Sequence, residues 1–214
     1  MKKAKRRKAK KAKKKKKPEN KGVRTIIGLG NPGSHYRATR HNAGFILLDE
    51  VLRRKKLRLK AGKGDYMVAI SDDEDTAYVK PLTFMNNSGA AVGDFLKRYH
   101  AKAEDMLVLH DELDLPLGSF KFKAGGSAGT HNGLRSIIYT LGSEDFPRLK
   151  IGIDIEGRRE GWTPVDFVLG KFPPSEKEAL DAVIPRAADA VDCYINEGLE
   201  PAMTRYHQRT LQQA

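Results

Sequence analysis

Two kinds of apolar pattern alternate along the chain from about residue 23 onward. Short apolar runs of strand length occupy residues 23–29, 66–70, 77–79, 106–110, 118–123 and 149–153. Apolar residues recur at helical spacing in residues 42–54, 88–99, 132–141 and 175–197. Because strands alternate with helices, the pattern predicts a single α/β domain with a largely parallel or mixed sheet.

Two residues set expectations for the helix boundaries. Asn42 stands at the start of the first helical segment and is expected to be its N-cap. Pro185 lies inside the last and longest helical segment. Because proline lacks an N–H and clashes with the preceding turn, we expect it to kink or split that helix.

The charge distribution separates the first 22 residues from the rest of the chain. Residues 1–17 contain 13 Lys or Arg and no acidic residue, whereas residues 18–214 contain 27 basic and 27 acidic residues. Blocks of like charge repel one another and are usually disordered. We therefore expect a disordered basic tail over residues 1–22 and a folded domain over residues 23–214. The tail could tether ribosomal or other RNA, or it could be a solvated segment with no such role.

The remaining composition narrows the class of protein. Cys193 is the single cysteine, which excludes a disulfide framework and a multi-cysteine zinc site. No apolar stretch reaches the length of a membrane span, and no apolar run follows the basic N-terminus as a signal peptide requires. We expect a cytoplasmic protein that does not bind a membrane. No apolar surface stripe demands a second subunit, so a monomer is expected.

The motif GLGNPG at residues 28–33 fits the glycine fingerprint of dinucleotide-binding folds, with Asp49 at a suitable distance. Two features disfavour a nucleotide. The third glycine should open a helix, but eight residues separate this motif from the next helical segment. Asp49 also falls inside a predicted helix rather than at a strand end. A glycine turn after a strand is the favoured interpretation, and no cofactor is expected.

The motif GGSAG at residues 125–129 fits the nucleophile elbow of serine hydrolases, with Ser127 as the nucleophile. Such a triad needs a later histidine. His131 is too close in sequence, which leaves His207. The elbow also follows a buried central strand, whereas the preceding FKFK alternates and is typical of a half-exposed strand. A serine esterase through Ser127 stays an alternative to a flexible glycine loop.

Polar residues recur where predicted strands end or meet helices. They are Asn31, His41, Asn42, Asn86, Asp111, His131 and Asn132. Active sites of open α/β sheets gather at the carboxyl ends of strands. A single Asn is usually a cap or turn residue, but several Asn and His at matching junctions favour a functional site.

Four motifs in this order resemble the bacterial-type peptidyl-tRNA hydrolases: GLGNPGSHYRATRHNAGF, KPLTFMNNSG, HDELDLPLGSFKFK and GTHNGLRSI. The resemblance runs from about Val23 to the end of the C-terminal helix. It implies a mixed twisted β-sheet flanked by helices. It also implies hydrolysis of the ester that joins a peptide, or an N-blocked aminoacyl group, to the 3′ end of tRNA. That reaction frees tRNA from stalled or dropped-off peptidyl-tRNA for reuse in translation.

The resemblance also assigns roles to residues. His41 matches the base that activates water without a covalent intermediate, and Asp111 matches the acid that orients it. His131 could belong to the site or could simply hold its loop. The residues that match substrate contacts are Asn31, Tyr36, Met85, Asn86 and Asn132. The residues that match tRNA phosphate contacts are Lys121, Lys123 and Lys150, for which a solvated strand face is the alternative.

Two further expectations concern metals and the competing class of function. His110 precedes Asp111 in a strand, so the two side chains should point to opposite faces, and we expect no metal site among them and the nearby Glu112 and Asp114. The main alternative is a non-catalytic RNA-binding relative that acts in RNA processing. The presence of His41 and Asp111, together with the two amides Asn31 and Asn86, favours the enzyme.

Overall fold

The computed structural model describes residues 23–72, 75–155 and 161–206. The predicted tail, His207 and part of the polar loop around residues 73–74 therefore lie outside the described residues. Within the described part, every helix is too short or too polar to traverse a lipid bilayer.

The described residues form one seven-stranded mixed sheet in the order β2-β3-β4-β1-β5-β7-β6. The strands are β1 (Arg24–Gly28), β2 (Lys60–Ala61), β3 (Tyr66–Ile70), β4 (Thr76–Pro81), β5 (Met106–Pro116), β6 (Phe120–Lys123) and β7 (Arg148–Asp154). Strands β4, β1, β5 and β7 are parallel neighbours, and β2, β3 and β6 add antiparallel pairings at the two edges. The carboxyl ends of the four parallel strands therefore meet along one side of the sheet.

Helices cover both faces of the sheet. They are α1 (Ala43–Lys55), α2 (Ser88–Tyr99), α3 (Asn132–Leu141), α4 (Pro164–Leu169), α5 (Pro174–Glu197) and α6 (Leu199–Tyr206). One buried apolar cluster joins the sheet to α1, α4, α5 and α6, and a second cluster on the opposite face joins it to α2 and α3. The predicted α/β domain with a mixed sheet between helices is confirmed.

The glycines of GLGNPG serve close packing between β1 and α1. A Cβ atom on Gly28 would lie 2.8 Å from the carbonyl oxygen of Gly44, and one on Gly30 would lie 2.6 Å from the ring of Phe45. Such distances are shorter than side chains tolerate, so only glycine lets the helix approach the strand this closely. Asp49 lies within α1 and forms an ion pair with Lys80. The glycine-turn interpretation of this motif fits these contacts.

Strand β5 extends beyond the predicted boundary at His110. It continues to Pro116, so Asp111 lies inside the strand rather than just after it. The reason is tertiary: β7 pairs with this polar extension, through Asp111–Ile151 and Glu112–Gly152. A sequence pattern that scores only apolar runs misses a strand whose partners lie forty residues away.

Pro185 does not split the long C-terminal helix, which is continuous as α5. Buried residues lie on both sides of the proline, including Leu180 and Ile184 before it and Ala188 and Val191 after it, and all belong to one apolar cluster. Burial of both halves in the same apolar cluster outweighs the cost of proline, which is about 3 kcal/mol in a helix interior. The expected split at Pro185 is therefore wrong, and the expected kink stays a prediction.

Candidate active site

Three polar side chains form a hydrogen-bonded group at the carboxyl end of the parallel strands. His41 lies in the short 3-10 turn before α1, Asp111 lies in β5, and His131 immediately precedes α3. Nδ1 of His41 lies 2.9 and 3.0 Å from the two carboxylate oxygens of Asp111. Nε2 of His131 lies 3.0 Å from Oδ1 of Asp111. One buried carboxylate thus holds two imidazole rings.

The hydrogen bond that Nδ1 of His131 makes shows which of its ring nitrogens carries the proton. Nδ1 of His131 accepts a hydrogen bond from the backbone N–H of Leu134 at 3.2 Å and thereby caps α3. Nδ1 therefore carries no proton, and Nε2 is the nitrogen that donates to Asp111. The three groups are close enough to ligate a metal ion. Coordination through Nε2 would place a proton on Nδ1 against the N–H of Leu134, so the donor set fits a proton network better than a metal centre.

The electrostatics of the pair keep Asp111 charged and favour a protonatable His41. Burial alone would lower the pKa of His41, but the Coulombic attraction of Asp111 and the hydrogen bond to it prevail, and the pKa is raised above 6.5. Burial would raise the pKa of Asp111, but the charges and hydrogen bonds of His41 and His131 hold it well below the ordinary value. Because Asp111 is an acceptor, the neutral form of His41 carries its proton on Nδ1 and leaves Nε2 unprotonated.

A second group of hydrogen bonds joins the turn of His41 to two other loops. Asn42 accepts from the backbone N–H of Asn31 at 2.8 Å and donates to its carbonyl at 3.0 Å. The side-chain oxygen of Asn31 accepts from the backbone N–H of Met85 at 2.8 Å. That bond orients the amide of Asn31, so its Nδ2 is the donor that remains. Asn42 is the N-cap residue of α1, as predicted, but its side chain makes no cap hydrogen bond because it binds the Asn31 loop instead.

A cavity of about 220 Å³ opens beside the three-residue group. His41 and Asp111 form part of its wall, together with the loop before α3 and one side of α4. Of the predicted residues, the cavity is lined by His41, Asp111, Asn132, Lys123 and Lys150. The structure therefore brings a base, an acid, an amide and two cations to one opening.

The other predicted substrate contacts lie in the neighbouring loops rather than in the wall of this cavity. Met85 is buried, and its backbone holds Asn31. Asn86 follows it and is exposed. Tyr36 packs edge-on against the exposed ring of Phe84, with 6.1 Å between ring centroids. These residues form an aromatic and amide surface that begins at Asn31.

Comparisons with known proteins point to one family. The family model described as peptidyl-tRNA hydrolase matches residues 25–214. A peptidyl-tRNA hydrolase of Symbiobacterium thermophilum is 43% identical over 190 residues, which cover 86% of this chain and 99% of the relative. One from Halalkalibacterium halodurans is 41% identical over 187 residues, covering 86% of this chain and all of the relative. The crystal structure of the enzyme from Acinetobacter baumannii matches with a TM-score of 0.79 and 36% identity, over 86% of this chain and 94% of that one.

This chain belongs to the peptidyl-tRNA hydrolase family. The resemblance identified from four sequence motifs is thereby confirmed. The β6–β7 pair places four basic side chains on one face of the sheet, of which Arg148 is buried. In the β6–β7 pairing, Lys121 stands opposite Lys150 and Lys123 stands opposite Arg148. Phe120 is buried on the other face.

The three lysines of the β6–β7 pair differ in their surroundings. Lys121 is exposed, whereas Lys123 and Lys150 are half-buried at the cavity. Nζ of Lys150 forms an ion pair with the carboxylate of Glu112 from β5. Lys150 therefore already has an anionic partner, and an incoming phosphate would compete with Glu112 for it.

The loop that carries Ser127 is held by a buried arginine that sequence reasoning missed. Arg148 is fully buried, donates to the carbonyl of Ser127 at 2.8 Å and also donates to the carbonyl of Gly126. Because β6 is an edge strand, the loop does not follow the buried central strand that a nucleophile elbow requires. The nearest imidazole in the loop, His131, has both nitrogens occupied by Asp111 and Leu134.

His110 contacts the backbone of Asp111 rather than its carboxylate. Its buried ring packs edge-on against His131, with 4.9 Å between centroids, and its Nδ1 lies 2.6 Å from the backbone oxygen of Asp111. Burial lowers the pKa of His110 well below the ordinary value. A neutral imidazole therefore packs behind the site, where a second positive charge would compete for Asp111.

Proposed function

We propose that this chain is a peptidyl-tRNA hydrolase that cleaves the ester between a peptide, or N-blocked aminoacyl group, and the 3′ end of tRNA. The observation that carries the proposal is the His41–Asp111 pair at the cavity, in a member of this family. Asp111 binds Nδ1 of His41, so Nε2 is left to accept a proton from water. The product is tRNA ready for reuse in translation.

The proposed reaction uses water directly and forms no covalent enzyme intermediate. Nε2 of His41 takes a proton as the water oxygen attacks the ester carbonyl, and Asp111 stabilises the imidazolium that forms. The carbon–oxygen bond to the ribose then breaks, and the proton passes from His41 to the departing ribose oxygen. The products are a tRNA with a free 3′-hydroxyl and a peptide carboxylic acid, which loses its proton to solvent.

Neutral amides suit the developing negative charge on the ester oxygen. We assign this support to Asn31 and Asn132, whose side-chain oxygens already accept from Met85 and Arg135 and thereby leave Nδ2 to donate. Asn86 is assigned to substrate positioning. Tyr36 and Met85 are assigned to the peptide side of the site, where an apolar wall adjoins Asn31.

The tRNA body is proposed to bind through its phosphates. Lys121, Lys123 and Lys150 share a side of the β6–β7 pair, and two of them line the cavity. Cations on a strand face read backbone charge rather than base identity, so one enzyme could accept many tRNAs. We also propose that the enzyme works in the cytoplasm as a monomer.

Release of tRNA from N-acetyl-aminoacyl-tRNA tests the proposal. Wild type should hydrolyse the ester, and His41→Ala should lower turnover by at least about a hundredfold, the lower range for loss of a positioned acid–base. His100→Asn is a matched control, because His100 is an exposed histidine at the end of α2.

The alternatives give different outcomes in the same assay. A serine esterase would lose turnover in Ser127→Ala and keep it in His41→Ala. A non-catalytic RNA-binding relative would bind tRNA with no hydrolysis by wild type. Either result would overturn the assignment of His41 as the base.

We further propose that the basic N-terminus tethers RNA. Residues 1–17 carry 13 Lys or Arg, enough to bind several phosphates through counterion release. Deleting residues 1–20 should weaken tRNA binding at low salt and leave turnover at saturating substrate nearly unchanged. If the tail contacts four phosphates, the slope of log affinity against log salt should flatten by roughly 3 to 4. An identical slope in the truncated protein would exclude the tether.

A further inference from the structure

Arg40, the residue before His41, is a buried arginine whose side chain reaches away from the acid–base pair. Its guanidinium forms a bidentate ion pair with Glu176 in α5, with Nε–Oε2 at 3.0 Å and Nη2–Oε1 at 2.8 Å. The side chains of Arg40 and Glu176 are only 6% and 13% exposed. A paired, planar and buried guanidinium holds its partners in one geometry.

The same guanidinium contacts the far end of α4. Nη1 donates to the carbonyl of Phe167 at 3.3 Å, and the guanidinium carbon lies 4.3 Å from the centre of the Phe167 ring and 5.5 Å from that of Phe172. The backbone reinforces the contact, because the N–H of Arg40 donates to the carbonyl of Gly170 at 3.0 Å. Arg40 therefore ties α4 and the start of α5 to the turn that carries His41.

Helix α4 forms one wall of the cavity that His41 lines. Pro164, Val165 and Val168 face this opening. The helix is only six residues long, so its own hydrogen bonds give it little stability. Its position relative to His41 must come from tertiary contacts, and the guanidinium of Arg40 supplies the side-chain hydrogen bond among them.

We propose that Arg40 is a positioning residue that sets the distance between the α4 wall and the base His41, and so determines how tightly substrate is bound. The proposal rests on the proposed hydrolase function. It assigns Arg40 an effect on substrate binding, because its side chain contacts the wall, whereas His41 is oriented by Asp111. Loss of the guanidinium loosens the wall and leaves the acid–base pair in place.

Trp162 provides a readout of the wall that does not depend on activity. It is the single tryptophan of the chain and precedes α4. Its ring packs edge-on against Phe167, with 6.3 Å between centroids, and Phe167 is the residue over which Arg40 lies. The ring is 54% exposed and is shielded on the side of Phe167, so a rise in quenching of its emission by acrylamide reports a displaced α4.

The experiment compares Arg40→Met and Glu176→Gln with wild type. We expect both to raise the KM for N-acetyl-aminoacyl-tRNA, by about tenfold in Arg40→Met, with kcat changed by less than about threefold, the pattern for lost binding without lost chemistry. Acrylamide quenching of Trp162 should increase in both. Arg40→Lys keeps the positive charge but loses the bidentate hydrogen bonds to Glu176, so its KM should lie between those of wild type and Arg40→Met. If Arg40→Met does not fold, Arg40→Lys and Glu176→Gln carry the test.

Arg54→Met is the matched control. Arg54 also joins another helix to α5, through an ion pair with Asp189 at 2.6 Å, and lies away from α4. It should leave KM and the quenching of Trp162 at their wild-type values. Wild-type KM and quenching in Arg40→Met, with only a lower thermal midpoint, would reduce Arg40 to a structural role. A fall in kcat with unchanged KM would also overturn the proposal. If the wild type hydrolyses nothing but Arg40→Met still changes the quenching of Trp162, the contact between Arg40 and α4 is upheld and the proposed function is refuted.

Discussion

The acid–base group and the basic strand face lie side by side at one cavity, yet they are built in opposite ways. The side chains of His41 and Asp111 are 10% and 2% exposed, and each is hydrogen-bonded to the other. On the face of the β6–β7 pair, Lys121 is exposed and Lys123 is half-buried, and each carries its charge at the end of a long, flexible side chain. The first region is preorganised by burial, and the second stays accessible to solvent and salt.

This difference predicts different responses to mutation. Groups that share buried hydrogen bonds act as a unit, so removing one leaves its partner unpaired and the effects are large and non-additive. Solvent-exposed charges are screened and act nearly independently. Chemistry should therefore depend on the first region, and salt-dependent affinity on the second.

Of the variants in these two regions, Asp111→Asn should produce the largest change in activity. We expect kcat to fall by at least about a hundredfold, because an amide no longer holds His41 with its proton on Nδ1. Asp111 raises the pKa of His41. The active imidazole is neutral, so activity is lost as the pH falls through that pKa. Without the carboxylate the pKa falls, and the acid limb of the kcat profile should move to lower pH.

Glu112→Gln is the control for that experiment, because Glu112 is the next acid in β5 and pairs with Lys150 instead. Its acid limb should stay where wild type has it. An unshifted limb in Asp111→Asn would mean that Asp111 and His41 do not titrate as a pair in solution.

Lys123→Met combined with Lys150→Met should have an intermediate effect, and on binding rather than chemistry. Each lost phosphate contact should flatten the slope of log affinity against log salt by about 1. The slope of the double variant should therefore be less steep by about 2. We expect tRNA affinity at moderate salt to fall roughly tenfold, with kcat at saturation nearly unchanged. Lys97→Met, an exposed lysine on α2, is the matched control. A fall in kcat without a change in slope would show that the two regions are not separable.

Glu112→Gln should have the smallest effect, and in the opposite direction. Removing the carboxylate breaks the ion pair of Lys150, so its ammonium group is available to bind a tRNA phosphate. A partly exposed ion pair contributes at most about 1 kcal/mol, so tRNA affinity should rise by no more than about fivefold. Titration of tRNA at two salt concentrations measures this change. Weaker binding would indicate that Glu112 orients Lys150 for phosphate rather than competing with it.

Local patterns predicted most of the secondary structure and much of the site. The apolar run at residues 106–110 predicted the buried half of β5, because a central parallel strand is apolar on both faces. Asn31, His41 and Asp111 could be selected because polar residues at strand ends of an α/β sheet meet at one edge. The roles of Asn86 and Tyr36 stay predictions that rest on the resemblance.

By itself, the sequence determined the α/β class and the family, and it predicted His41 as the base and Asp111 as the acid, since these depend on periodicity and on motifs that are contiguous in the chain. Only the tertiary structure decided which partners the polar side chains choose. The side chain of Asn42 binds the Asn31 loop rather than the first turn of its own helix, His131 shares Asp111, and Arg40 holds Glu176 from 136 residues away. The physical reason is that buried hydrogen bonds must be satisfied by whatever the fold brings within about 3 Å, and no local pattern encodes that choice.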